Sequence, residues 1–98
     1  MHQISLDAIG WQDRDDVMDA LLAALGAPEW HGRTLDALFD SLAGGQILAV
    51  WPPLAIEVSG DGAAPRGVSE MLDRIERLFQ DVRRTGDADV TFVRLGKA

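Results

Sequence analysis

The sequence predicts an α/β fold in which a small three-stranded parallel sheet is packed with about three helices. Three observations point to it. Short stretches at residues 3–6, 54–58 and 89–95 have strand length and composition, while the segments between them repeat their apolar residues with helical period. Strands that alternate with helical crossovers pair in parallel, with right-handed connections. Ninety-eight residues, 47% of them apolar and none of them cysteine, suffice for one core and exclude disulfides and thiolate metal sites. Residues 1–98 therefore read as a single domain.

Each element follows from its residues. Residues 3–6 alternate apolar and polar side chains, as an opening strand would. Asp13 suits the N-cap of a first helix, with Asp15 and Asp16 in the first turn, where the dipole favours anions. Val17, Leu21, Ala24 and Leu25 recur at i, i+4, i+7 and i+8 along its buried face. Gly26 ends that helix and Pro28 prevents its resumption. Residues 27–33 read as a loop, and Thr34 caps a second helix with the stripe Leu35, Leu38, Phe39 and Leu42. Gly44-Gly45 stops it.

Pro52 and Pro53 can only precede the strand at 54–58 or lie at its edge. Residues 59–67, with three glycines and a proline, look irregular. From Val68 the clearest helix begins, with Met71, Leu72, Ile75, Leu78, Phe79 and Val82 on one face. Glu70/Arg74, Asp73/Arg77 and Arg77/Asp81 have i, i+4 spacing, and Arg83 and Arg84 suit its C-terminal dipole. Thr85-Gly86-Asp87 turns the chain into the last strand.

Charge is distributed unevenly. The net charge is −7, and residues 1–45 hold eight acids (Asp7, Asp13, Asp15, Asp16, Asp19, Glu29, Asp36, Asp40) against Arg14 and Arg33. The remainder is nearly balanced. Such a field repels nucleic acid and attracts a basic partner, although an acidic surface also serves solubility alone. Mean hydropathy is +0.00, and the longest apolar run, residues 47–56, is interrupted by Trp51-Pro52-Pro53 and too short to span a bilayer. No basic stretch followed by an apolar one opens the chain, so cytoplasmic localisation is the expectation.

Asp36 and Asp40 stand one turn apart on a face of the second helix beside the buried stripe. As like charges they repel, and Asp40 lies toward the end of the helix where the dipole disfavours an anion. No Lys or Arg within the helix relieves it. Local stability does not account for Asp40, which leaves a solvated acidic face or an interface. Trp30 and His31 precede it in a loop tethered by Pro28 and Gly32. An aromatic beside unpaired acids suits an interface anchor, and a core-capping tryptophan is the other use of Trp30. Two carboxylates near a histidine could suggest acid–base or metal chemistry. An open helix face, the lack of a glycine-rich phosphate loop and a histidine supply limited to His2 and His31 argue against an enzyme. No cofactor is implied.

The run Leu25-Gly26-Ala27-Pro28-Glu29-Trp30-His31-Gly32-Arg33-Thr34-Leu35-Asp36-Ala37-Leu38-Phe39-Asp40-Ser41-Leu42 resembles the signature of the barstar family. In that family a proline-aromatic-glycine loop leads into a Leu-Asp-Ala-Leu-aromatic-Asp helix. The similarity continues through a Pro-Leu strand near residue 53, a helix bearing Leu78-Phe79, then Gly86, an aspartate and a final strand. It implies a free monomer that binds one basic ribonuclease, with no direct contact to nucleic acid or membrane. The implied partner surface comprises Trp30, His31, Gly32, Arg33, Asp36, Phe39, Asp40 and Asp81. Asp40 resembles the aspartate that stands where substrate phosphate would, and Asp36 the one that meets the nuclease's basic guanine-site region. Trp30 takes the place of a tyrosine that packs on the catalytic histidine, and Asp81 that of a peripheral glutamate.

Several positions depart from the family pattern. Arg33 is positive where an acid is expected, His31 replaces a second tyrosine, and Gly45 falls where an aromatic often follows the helix. About four extra residues lie between Leu42 and Pro53, and residues 59–67 are too glycine-rich for the short helix of some relatives. A barstar-fold module that binds another basic protein is the alternative these departures leave open.

Overall fold

The computed structural model describes residues 2–43, 53–85 and 88–96. The elements run β1 (His2–Asp7), α1 (Arg14–Ala24), α2 (Leu35–Ala43), β2 (Leu54–Ser59), α3 (Arg66–Arg84) and β3 (Val90–Arg94). The sheet is parallel, in the order β1-β2-β3, so the α/β class and the three-strand, three-helix count hold. The Gly44-Gly45 stop, the Gly45 departure, the insertion before Pro53 and the Gly86-Asp87 turn lie outside the described residues.

Register explains which face is buried. Ile4 pairs with Ile56 and Ile56 with Phe92, while Leu6 pairs with Val58 and Val58 with Arg94. With Leu54 and Val90 these side chains form one face, and Phe79 of α3 meets Phe92 there with ring centroids 5.2 Å apart. The other face presents Gln3, Ser5, Glu57 and Val93, all exposed. Helices cover only one side, which is why the strands alternate instead of reading as the continuous apolar runs of a doubly covered parallel sheet. α1 and α2 pack on α3, burying Val17, Leu21, Leu38 and Leu42 against Val68, Leu72, Ile75 and Leu78.

Helix ends follow the sequence closely, with one correction. Asp13 accepts the Asp16 N–H at 3.0 Å, and Asp16 accepts the Gln12 N–H at 2.8 Å, a reciprocal cap. Gly26 takes φ +68°, the left-handed conformation that ends α1. α3 begins at Arg66, two residues before Val68. Pro65 supplies the residue before its first turn, its carbonyl accepts the Ser69 N–H at 3.0 Å, and Arg66 pairs with Glu70. Gly67, which suggested a loop, sits in that turn with open space where a Cβ would be.

Beyond the strand ends lies a buried ionic cluster. Arg94 occupies an inward position of β3, yet its Nε donates to Asp61 at 2.8 Å, one terminal nitrogen pairs with Asp73, and the other donates to Ser69 Oγ at 3.1 Å. Asp61 also accepts the Gly96 N–H at 2.9 Å. Burial alone would raise the Asp61 pKa, but the Arg94 guanidinium and the Gly96 N–H outweigh it and hold the carboxyl below its ordinary value. The cluster joins β3, the β2–α3 loop and the first turns of α3. No described helix is long and apolar enough to cross a membrane.

Candidate protein-binding site

The eight acids of the N-terminal half divide by what they touch. Asp7 accepts the Ile9 N–H at 2.9 Å, and Asp13 and Asp16 cap α1. Asp19 and Asp15 flank Arg33, at 2.5 Å and 3.8 Å. Glu29, Asp36 and Asp40 alone engage no described residue, and all three are exposed. Within this half, the uncommitted acids are thus confined to the loop before α2 and to α2 itself. Trp30 stands beside it with 74% of its surface exposed, which rules out a core-capping position.

Rigid contacts hold this segment. Thr34 caps α2 by accepting the Ala37 N–H at 3.1 Å. His31 is buried, 6% exposed, although it lies in a loop. Its Nδ1 lies 2.7 Å from the Gly32 carbonyl, which can only accept, so Nδ1 carries the proton. In the neutral imidazole Nε2 then accepts from the Ser41 hydroxyl, 2.6 Å away. Gly32 lies so close to α2 that a Cβ there would meet the Ala37 Cβ at 3.0 Å. The loop is therefore pressed onto α2, and Trp30 is turned outward by the burial of its neighbour.

Arg33, the charge that departs from the family pattern, is neutralised within the molecule. Its guanidinium binds Asp19 and Asp15 and donates to the Asp15 carbonyl at 3.4 Å, so it ties the loop to α1. Phe39, assigned both to the buried stripe and to the partner surface, is half-buried. It lines a shallow groove between α2 and α3 with Leu35, Asp36, Arg74, Arg77, Leu78 and Asp81. That groove brings Asp36 and Asp81 together across two helices. Asp81 pairs with Arg84 at 2.8 Å, and the expected partner of Arg74, Glu70, pairs with Arg66.

Two features escaped the sequence reading. Ser41 is buried on the inner face of α2 between Leu38 and Leu42, and a polar residue on a buried stripe is itself a sign that a partner must exist. Arg74 and Arg77 form part of the groove, although i, i+4 spacing had assigned both to helix ion pairs. With this geometry in place, comparison with known proteins adds one finding. A family model described as Barstar (barnase inhibitor) matches residues 1–95, whereas no curated protein matches the chain.

Proposed function

Since the chain belongs to the barstar family, whose description is that of a barnase inhibitor, we propose that it is a one-to-one inhibitor of a basic microbial ribonuclease of the secreted type. In this reading α2 and the loop before it enter the nuclease active site. The observation that carries it is the sorting of the acids: five of the eight in residues 1–45 are committed inside the protein, and Glu29, Asp36 and Asp40 engage no described residue, beside an exposed Trp30.

The chemistry is substitution of one anion for another. A ribonuclease gathers cationic donors around a scissile phosphate, and a fixed carboxylate accepts the same charge-assisted hydrogen bonds without offering a bond to cleave. Asp40 takes that role, and Asp36, one turn earlier, meets an adjoining base. Trp30 supplies a flat apolar anchor at the rim of the site. His31, Gly32 and Arg33 act from within: they fix the loop before binding, which reduces the ordering entropy lost in the complex. Phe39 forms the floor of the neighbouring groove, and Asp81 lies at the periphery. The protein acts as a monomer, without metal or cofactor, and is not an enzyme.

The test is a titration of the purified protein against a panel of secreted microbial ribonucleases that includes barnase, with RNA cleavage as readout. Activity of one member is expected to fall linearly to zero at one equivalent, and the protein alone should leave RNA intact. Inhibition of none, or only at large excess, overturns the reading. A tight complex with a basic protein that does not cut RNA would transfer the same surface to another target.

A further inference from the structure

Three arginines without a partner border this otherwise acidic surface. Arg14, Arg74 and Arg77 are exposed and form no ion pair among the described residues. They are also gathered together. Arg14 and Arg74 line two adjoining clefts between the start of α1 and α3, floored by the half-buried Met71. Arg74 and Arg77 line the α2–α3 groove with Asp36 and Asp81. Arg74 therefore connects all three depressions and joins them to the face that carries Asp36.

Stability does not account for this cluster. The acids at helical spacing are committed elsewhere, Glu70 to Arg66 and Asp81 to Arg84. Arg74 and Arg77, one turn apart, repel each other. Arg33, which lies in the same cleft as Arg14 and Arg74, is held by Asp19 and Asp15. The molecule thus neutralises one arginine of this surface and leaves three without a partner among the described residues.

We propose that Arg14, Arg74 and Arg77 are a cationic half of the partner-binding surface, and that they receive a carboxylate which the ribonuclease carries beside its basic active site. The inference rests on the inhibitor reading and adds a condition to it. A net charge of −7 attracts every polycation, so attraction alone does not discriminate. Specificity needs a repulsive element against wrong partners. A basic protein with no carboxylate at this point meets three guanidinium groups, whereas the right partner forms charge-assisted, potentially bidentate pairs. A single carboxylate fits between Asp36, Asp81, Asp15 and Glu70 better than a polyanion, whose further phosphates those acids would repel.

Charge reversal tests this through the sign of its effect. The Arg74→Glu/Arg77→Glu double variant makes the inhibitor more acidic, as does Arg83→Glu, an exposed control on α3 outside these depressions. Against the ribonuclease that the wild type inhibits most tightly, the double variant is expected to bind at least ~10-fold more weakly, because like charges then face each other. Arg83→Glu should bind equally well or faster. Arg74→Ala/Arg77→Ala should lie between wild type and the reversal, and thermal melts verify that each variant is folded. Tighter binding by the double reversal overturns the inference while leaving inhibition and the loss on Asp40→Ala intact. Failure of the wild type to inhibit any ribonuclease overturns both. Binding of a labelled single-stranded oligouridylate that is lost in the double variant would reassign the cluster to nucleic acid and also overturn it.

Discussion

His31 Nε2 and Ser41 Oγ meet at 2.6 Å across ten residues of chain, so the loop that presents Trp30 is fastened to the helix that presents Asp40. The contact is buried and both ring nitrogens are satisfied. An isolated charged helix could supply Asp36 and Asp40, but it could not hold an indole at a set distance from them. The histidine–serine pair supplies that distance.

Ser41→Ala should therefore act on stability and on inhibition together. It leaves the His31 Nε2 buried without a donor, which destabilises by about 1–3 kcal/mol. Urea unfolding measures this, and a change below about 0.3 kcal/mol would show that the hydroxyl is dispensable. The variant should also dissociate faster from its ribonuclease, because the Trp30 loop is then less firmly ordered.

Asp40→Ala should separate binding from folding. The carboxylate is exposed, lacks a partner among the described residues and is poorly placed in the helix dipole, so the free protein should melt at the same temperature or slightly higher. In the complex its loss should weaken inhibition by at least ~2–5 kcal/mol, a general range for desolvated charge pairs that ribonuclease–barstar complexes helped to set. Leu38, fully buried on the same helix, is the folding control: Leu38→Ala should lose about 2–5 kcal/mol of stability. Phe39→Ala should lose less than the ~3–5 kcal/mol of a core phenylalanine, since half-burial leaves a smaller cavity. An Asp40→Ala protein that melts much earlier, or inhibits undiminished, would remove the phosphate-mimic role.

Association should be steered by charge. With Glu29, Asp36 and Asp40 gathered in the loop before α2 and on α2 itself, the association rate should fall steeply between low and physiological salt as the Debye length shrinks. Stopped-flow rates that stay flat across that range would deny the acidic face a steering role.

The Asp61–Arg94 pair sets an acid limit on stability. The folded carboxyl titrates below its unfolded value of about 3.9, so its contribution is complete above that pH and is lost as pH falls through the folded value. Asp61→Asn should be destabilised by about 3 kcal/mol at pH 7, the low end for breaking a buried pair, because Asp73 still faces Arg94. Below pH 4 the wild type should approach the variant. Denaturation curves from pH 7 to 3 that keep a constant gap would refute this.

Period and punctuation made most of the fold legible. The α1 stripe, its Asp13 cap and Gly26 stop, the Thr34 cap and the apolar face of α3 all follow from local rules, and the structure keeps them. Long-range polar pairing was not legible. Arg94 lies within the last strand, where register turns it inward opposite Val58, and Asp61 and Asp73 come to it from distant segments. The interface showed the same division. Asp36 and Asp40 were visible because nothing in their helix explains them. Burial of His31 was invisible, because it depends on a serine ten residues away. Spacing paired Arg74 with Glu70, but Arg66, one turn earlier, takes that acid.

The sheet register also governs the order in which the inhibitor is built. His2 pairs with Leu54 and Asp7 with Ser59, so the β1–β2 ladder closes a segment of roughly fifty residues, whereas β2 and β3 are linked by the shorter crossover through α3. Everything proposed to touch the nuclease apart from the α3 residues (Arg14 of α1, the loop and α2) lies inside the larger closure. Contacts of high sequence separation form late. On refolding, the full chain is thus expected to assemble β2, α3 and β3 into a scaffold before its warhead acquires a shape, with β1 as the latch that arms it. In a folding φ-value comparison, Leu6→Ala should mainly accelerate unfolding, and Ile75→Ala should mainly slow folding.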